Sequence, residues 1–131
     1  MIYLCSPYSH PDPTVREARF HAARAQAAAM LREGIQVFSP IAYSHSLVEC
    51  GLPVEWHFWE RLDRVLLEIC SEVQVLMLDG WEESQGIQAE ICLARELGKP
   101  VIYLKPFDDQ TPVTASRAGA VEGKAENAPT L

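Results

Sequence analysis

Glu90 is the residue whose placement asks for a chemical explanation. It lies in a helical stretch expected from Ser84 to Leu97, after an apolar run, Val73–Leu78, and a turn. At about 100° per residue, Ile87, Ile91, Leu93, Ala94 and Leu97 form one broad apolar arc. Glu90 falls near the middle of that arc, not with Gln88, Arg95 and Glu96 on the polar side. An unpartnered carboxylate is costly to bury. Glu90 is therefore expected to face a cleft or a partner, with a perturbed pKa. The blander reading is a frayed helix start at which Glu90 complements the helix dipole; the phase of the arc argues against it.

A second carboxylate, Asp63, sits on a helix opening at Pro53 or Val54 and ending near Cys70. The main apolar stripe there is Val54, Phe58, Leu62, Val65, Leu66 and Ile69. Asp63 lies off it, beside Trp56, Trp59, Leu67 and Cys70, which reads as a recognition surface or subunit contact, or as a solvated aspartate near Arg61 or Arg64. Asp79 ends a strand, as a turn residue or a site residue. Ser84 is a plausible N-cap, and Gly86 in the first helical turn lets a ligand approach the backbone. The free N–H groups of that turn suit an anion or a sugar hydroxyl. Tyr3 and Tyr8 flank the end of the first strand, with Tyr3 equally readable as core. Arg16, on the inward arc of the first helix, reads as a phosphate contact or a surface ion pair. His10, His45 and His57 stand on separate elements without HxxxH or HExxH spacing, so no metal and no other cofactor is expected. Neither GxGxxG nor a Walker loop occurs. Two carboxylates in different environments can divide into nucleophile and acid/base. Glycosyl transfer uses that division, and aromatic side chains can stack on a nucleobase.

The elements that must position these groups alternate. Ile2–Cys5 reads as a first strand, and the prolines of Ser6–Pro13 forbid helix. Thr14 and Glu17 form a capping-box pattern, so a helix is expected from Thr14 to about Glu33, stopping at Gly34. Ile35–Phe38 is a second strand, Ala42–Val48 a short helix, Val73–Leu78 a third strand and Val101–Leu104 a fourth. Short, continuously apolar strands separated by helices argue for an α/β fold: a small doubly wound, flavodoxin- or Rossmann-like parallel sheet of about four strands in order 2-1-3-4. The switch point between strands 1 and 3 gathers the Ser6–Pro13 loop, the loop from Ser39 to His45 and the Asp79–Gly86 turn. One domain is expected over 1–105. The tail, 106–131, lacks periodicity and reads as disordered or loosely attached.

The 131-residue chain is long enough for a real core. Its net charge of -7 disfavours nucleic acid as a partner. Four scattered cysteines without a CxxC pair, no signal-peptide pattern and no membrane-length apolar run point to a cytoplasmic protein with free thiols.

Three segments, IYLCSPYS, FSPIAYSH and DGWEESQGIQAEICLARELGKPVIYL, are similar to the nucleoside 2-deoxyribosyltransferase superfamily and, more closely, to its DUF1937 branch. They span about residues 1–104. Ser84, Gly86 and Glu90, in the pattern Ser-x-Gly-x-x-x-Glu, are the most specific element. The resemblance implies a flavodoxin-like sheet, Glu90 as nucleophile on the anomeric carbon, Tyr3 positioning it, and Asp63 contacting the base and aiding proton transfer. Ser6, Ser84 and Gly86 would line the sugar or phosphate pocket, with Tyr8, Arg16, Ser39 and Asp79 as further binding candidates. Transferases of this superfamily often carry aspartate at the Ser84 position, whereas related nucleotide hydrolases can have serine, which leaves transfer and hydrolysis both open. The resemblance also implies a homo-oligomer and a nucleoside or nucleotide as partner. The rival readings are a non-catalytic nucleotide-binding or sensing module and an interaction protein using Trp56 and Trp59.

Overall fold

A computed structural model describes residues 1–106; the expected loose tail lies, from residue 107 onward, outside the described residues. The elements are β1 (Ile2–Cys5), α1 (Pro13–Arg32), β2 (Val37–Phe38), α2 (Pro40–Val48), α3 (Trp56–Ile69), β3 (Glu72–Leu76), a 3-10 turn (Trp81–Glu83), α4 (Gln85–Glu96) and β4 (Val101–Leu104). The four strands form one parallel sheet in the expected order β2-β1-β3-β4.

Alternation along the strands divides the core in two. Tyr3, Cys5, Val73 and Val75 pack with Leu67 of α3 and with Ile87, Ile91 and Ala94 of α4. Leu4, Leu76 and Leu104 face the other way, against Ala27 and Met30 of α1 and against Ile35. Register sets Tyr3 beside Val73 and Cys5 beside Val75, so β1 and β3 end at the same level.

Several expected boundaries move. Helix α1 starts at Pro13, not Thr14, and its cap is Asp12, whose carboxylate accepts from the Thr14 backbone N–H at 2.9 Å and from the Thr14 hydroxyl at 2.8 Å. Proline fits the first helical position because that N–H has no intrahelical partner to lose. Glu17 is thereby released from the expected capping box. Helix α2 likewise starts early, at Pro40, with Ser39 as its cap. Strand β2 shrinks to Val37–Phe38, and α3 opens at Trp56 instead of Pro53 or Val54.

The larger difference concerns α3. Its apolar stripe turns outward: Phe58, Leu62, Val65 and Ile69 are all exposed, Ile69 by 65%. The buried side is the one carrying Asp63 and Leu67. Periodicity shows that a helix has two faces; which face packs on the sheet is set by the rest of the fold. The end of α3 is held by Lys99, which donates to the carbonyl of Leu67 at 2.7 Å and to those of Glu68 and Cys70. This gives the lysine of the GKP motif a structural role, since a cation at a helix C-terminus answers carbonyls that lack intrahelical partners.

Candidate active site

Helix α4 begins at Gln85, where the Ser84 side chain accepts from the Ile87 N–H at 3.3 Å. Starting there, its phase carries Glu90 to the buried face with Ile87, Ile91, Leu93 and Ala94. Glu90 is only 7% exposed. On β1, the side chain of Tyr3 points to the same layer, and its hydroxyl donates to Glu90 Oε1 at 3.2 Å.

A cavity of about 350 Å³ opens beyond the end of β1, within the range of small-ligand sites. Ser6, Tyr8, Asp63, Ser84, Gly86 and Glu90 all line it. They come from the loop after β1, from α3 and from the start of α4; the first and last were expected to meet at the switch point, whereas α3 was not among the segments expected there. Trp56 and Trp59 form apolar wall, and the Trp59 indole is fixed by its N–H donating to the Pro53 carbonyl at 2.8 Å. The hydroxyl of Ser6 is buried without a hydrogen-bond partner among the described residues. Such a group is satisfied by a ligand hydroxyl or a water.

The remaining candidates stand elsewhere. Tyr3 lies behind Glu90, not on the cavity wall. Arg16 does not line the cavity; it donates to the carbonyls of His10 and Pro11, and its guanidinium also acts on the Tyr8 hydroxyl, opposing the rise that burial gives that phenol. Ser39 caps α2 by accepting from the Ala42 N–H at 3.1 Å. Asp79 borders a separate open hollow with His10, Thr14, Arg19 and Gly80. Its carbonyl accepts from Arg19, which also donates to the Ser9 carbonyl, so Arg19 fastens the loop after β1 to the turn after β3. That turn needs glycine: Gly80 has φ 86°, and a Cβ there would stand 2.7 Å from an Arg19 nitrogen.

Cys5 was missed as a site residue. It reads from sequence as an inert core thiol, yet it stands two residues after Tyr3 and so shares its face of β1. Its thiol and the Tyr3 hydroxyl both favour the charged form of Glu90.

Burial dominates the electrostatics. It pushes the Glu90 carboxyl up to about 8, with the charge of Asp63 acting in the same direction and Cys5 and Tyr3 opposing. Burial pushes Asp63 up to about 7. The Tyr3 phenol is driven well above its ordinary value, first by burial and then by Glu90, so it remains a hydrogen-bond donor. With Asp63 at about 7 and Glu90 at about 8, a single proton between the two carboxyls rests chiefly on Glu90, and the form with Glu90 ionised and Asp63 protonated is the minor one.

The solved structure of a 2-deoxyribosyltransferase from the psychrotolerant bacterium Bacillus psychrosaccharolyticus shares the fold with a TM-score of 0.55 and 22% identity, over 88% of this chain and 80% of that one. The chain belongs to the DUF1937 family, a domain of unknown function, whose profile matches residues 1–105. No curated protein matches it. Among the described residues no helix is long and apolar enough to cross a membrane.

Proposed function

We propose that this protein cleaves or transfers the N-glycosidic bond of a nucleoside or nucleotide. The observation that carries the reading is the buried Glu90 carboxyl, lining the cavity with Asp63 and held from behind by Tyr3. In the ionised state a Glu90 oxygen attacks the anomeric carbon. The carbon–nitrogen bond breaks, its electron pair stays on the base, and Asp63 supplies the proton. The resulting glycosyl ester is resolved by water or by a second base, which returns a proton to Asp63. Trp56 and Trp59 supply apolar surface for the base. Ser6 and the first turn of α4 supply polar contacts for the sugar or its phosphate. The fold shared with a 2-deoxyribosyltransferase supports this assignment.

The test is a panel of deoxynucleosides, ribonucleosides and their 5′-monophosphates, read by release of free base. One observation favours a second reading. Burial keeps Glu90 largely protonated at neutral pH, and a protonated carboxyl binds a ribose hydroxyl without attacking. Saturable binding of panel members without base release would identify a nucleotide-binding module.

We also propose that a second copy of the chain covers the exposed stripe of Phe58, Leu62, Val65 and Ile69. These residues share α3 with Asp63, so an assembly through this stripe would brace one wall of the cavity.

A further inference from the structure

We propose that α1 and α2 together form a divalent-cation site of the zinc type, built from Glu17, His45 and Glu49. Glu17 and His21 are one helical turn apart on α1, and His45 and Glu49 are one turn apart on α2. Each helix therefore presents one imidazole and one carboxylate on a single face. The spacing that appeared to exclude a metal covered histidine pairs only; Glu-x-x-x-His facing His-x-x-x-Glu becomes a cluster once the two helices pack.

His45 Nε2 lies 2.8 Å from Glu17 Oε2 and 3.4 Å from Glu49 Oε1. His21 Nε2 lies 3.1 Å from the other Glu17 oxygen. The ligand atoms of Glu17, His45 and Glu49 all fall within 4.8 Å of one another. Tetrahedral zinc with nitrogen and oxygen ligands needs roughly 3.4 Å between ligand atoms, so modest side-chain adjustments close the site. A water supplies the fourth position, since His21 is engaged otherwise, with its Nδ1 accepting from the Arg24 guanidinium at 2.8 Å.

His45 is held in the way a metal-binding imidazole is held. It is buried and stacks on Phe20 with ring centroids 4.1 Å apart. Its Nδ1 lies 2.7 Å from the Tyr8 hydroxyl. With the Tyr8 oxygen accepting from Nδ1–H, Nε2 presents a lone pair toward two carboxylates. In the other tautomer Nε2–H donates to Glu17 at 2.8 Å, and ligation replaces that proton by the ion. A divalent cation between Glu17 and Glu49 offsets the repulsion of the two carboxylates and leaves the cluster neutral. Because Tyr8 also lines the cavity, the ion would fix that wall through His45. The inference stands independently of the glycosidic reading.

The test is titration of the full, chelator-stripped chain with Zn²⁺ by calorimetry and with Co²⁺ by visible absorption. One ion per chain is expected, with binding that weakens as pH falls because the ligands must be deprotonated. His45→Ala removes saturable binding, Glu17→Gln and Glu49→Gln each weaken it about tenfold or more, and Tyr8→Phe weakens it about tenfold. Cys50→Ser, which alters an exposed thiol next to Glu49, leaves it unchanged. Circular dichroism confirms that the conservative Glu→Gln variants are folded. Absence of saturable binding, unchanged affinity in folded Glu17→Gln and Glu49→Gln, or loss of binding in Cys50→Ser would each overturn the proposal.

Discussion

The Tyr3 hydroxyl donates to Glu90 Oε1 at 3.2 Å, joining the first strand to the last helix inside a buried layer. Tyr3 does not line the cavity, so it acts on a substrate only through Glu90. Tyr3→Phe is expected to lower kcat by about tenfold to a hundredfold with little change in KM, because an interaction made to the nucleophile is lost and substrate contacts remain. The pH profile supplies the readout that a purely structural role would not move. Removing the donor raises the Glu90 pKa further, so the ascending limb of activity shifts to higher pH. An unshifted profile would count against positioning.

With two raised carboxyls in the cavity, the proposed activity should be bell-shaped in pH. Base release should rise as the pair loses its first proton and fall as it loses the second, with apparent values in the region of about 7 and about 8. Asp63→Asn should remove one limb and leave the other. A flat profile from weakly acidic to alkaline pH would contradict the raised carboxyls.

The same burial has a thermodynamic signature. The folded-state pKa of Glu90 is raised from 4.5 to about 8, so between those values the native state binds a proton that the unfolded state releases. Stability is fully present below about 4.5 and declines as pH rises through about 8. Glu90→Gln removes the titration, so the variant should exceed the native protein in stability at alkaline pH by on the order of a few kcal/mol. Thermal unfolding across this pH range measures it; parallel curves for the two proteins would show that Glu90 is not desolvated.

Much of this arrangement was legible in the chain. Strand order followed from short apolar strands separated by helices, and the inward turn of Glu90 followed from the phase of Ile87, Ile91 and Ala94. Ser84 as cap could be read because a serine just before an apolar helix has a local job. What could not be read depends on how elements meet. The outward stripe of α3 was invisible because periodicity does not say which face a sheet will cover. The loop carbonyls of His10 and Pro11 claim Arg16, and a partner of that kind leaves no pattern in sequence. Cys5 looked like any core thiol, and the pairing of Glu17 with His45 needed α1 and α2 to be packed.

Gly86 separates protein requirements from ligand requirements. A Cβ there would sit 3.7 Å from the Trp56 Cβ and 3.8 Å from its ring, which is ordinary contact. Gly86→Ala should therefore fold normally, with Tm unchanged or slightly raised, since alanine is the better helix former. The added methyl enters the cavity wall, so KM or Kd for the nucleoside should rise several-fold. Unaltered binding would remove Gly86 from the site. Ser84→Ala, by contrast, should lose a cap and about 1 kcal/mol of stability.

Assembly is testable on α3 alone. Leu62→Glu with Val65→Glu places charges in the exposed stripe without touching Asp63 or Leu67. Light scattering should give an oligomer for the native chain and a monomer for the double variant. Equal masses for both would eliminate the stripe as the interface.

The central claim is that Glu90 is a nucleophile in a nucleoside-sized cavity. The most direct measurement is free-base release from the panel by the native protein and by Glu90→Ala, with circular dichroism showing both folded. The account predicts release from at least one nucleoside or nucleotide by the native chain, reduced about a thousandfold or more in the variant. Release at the native rate by folded Glu90→Ala would contradict it.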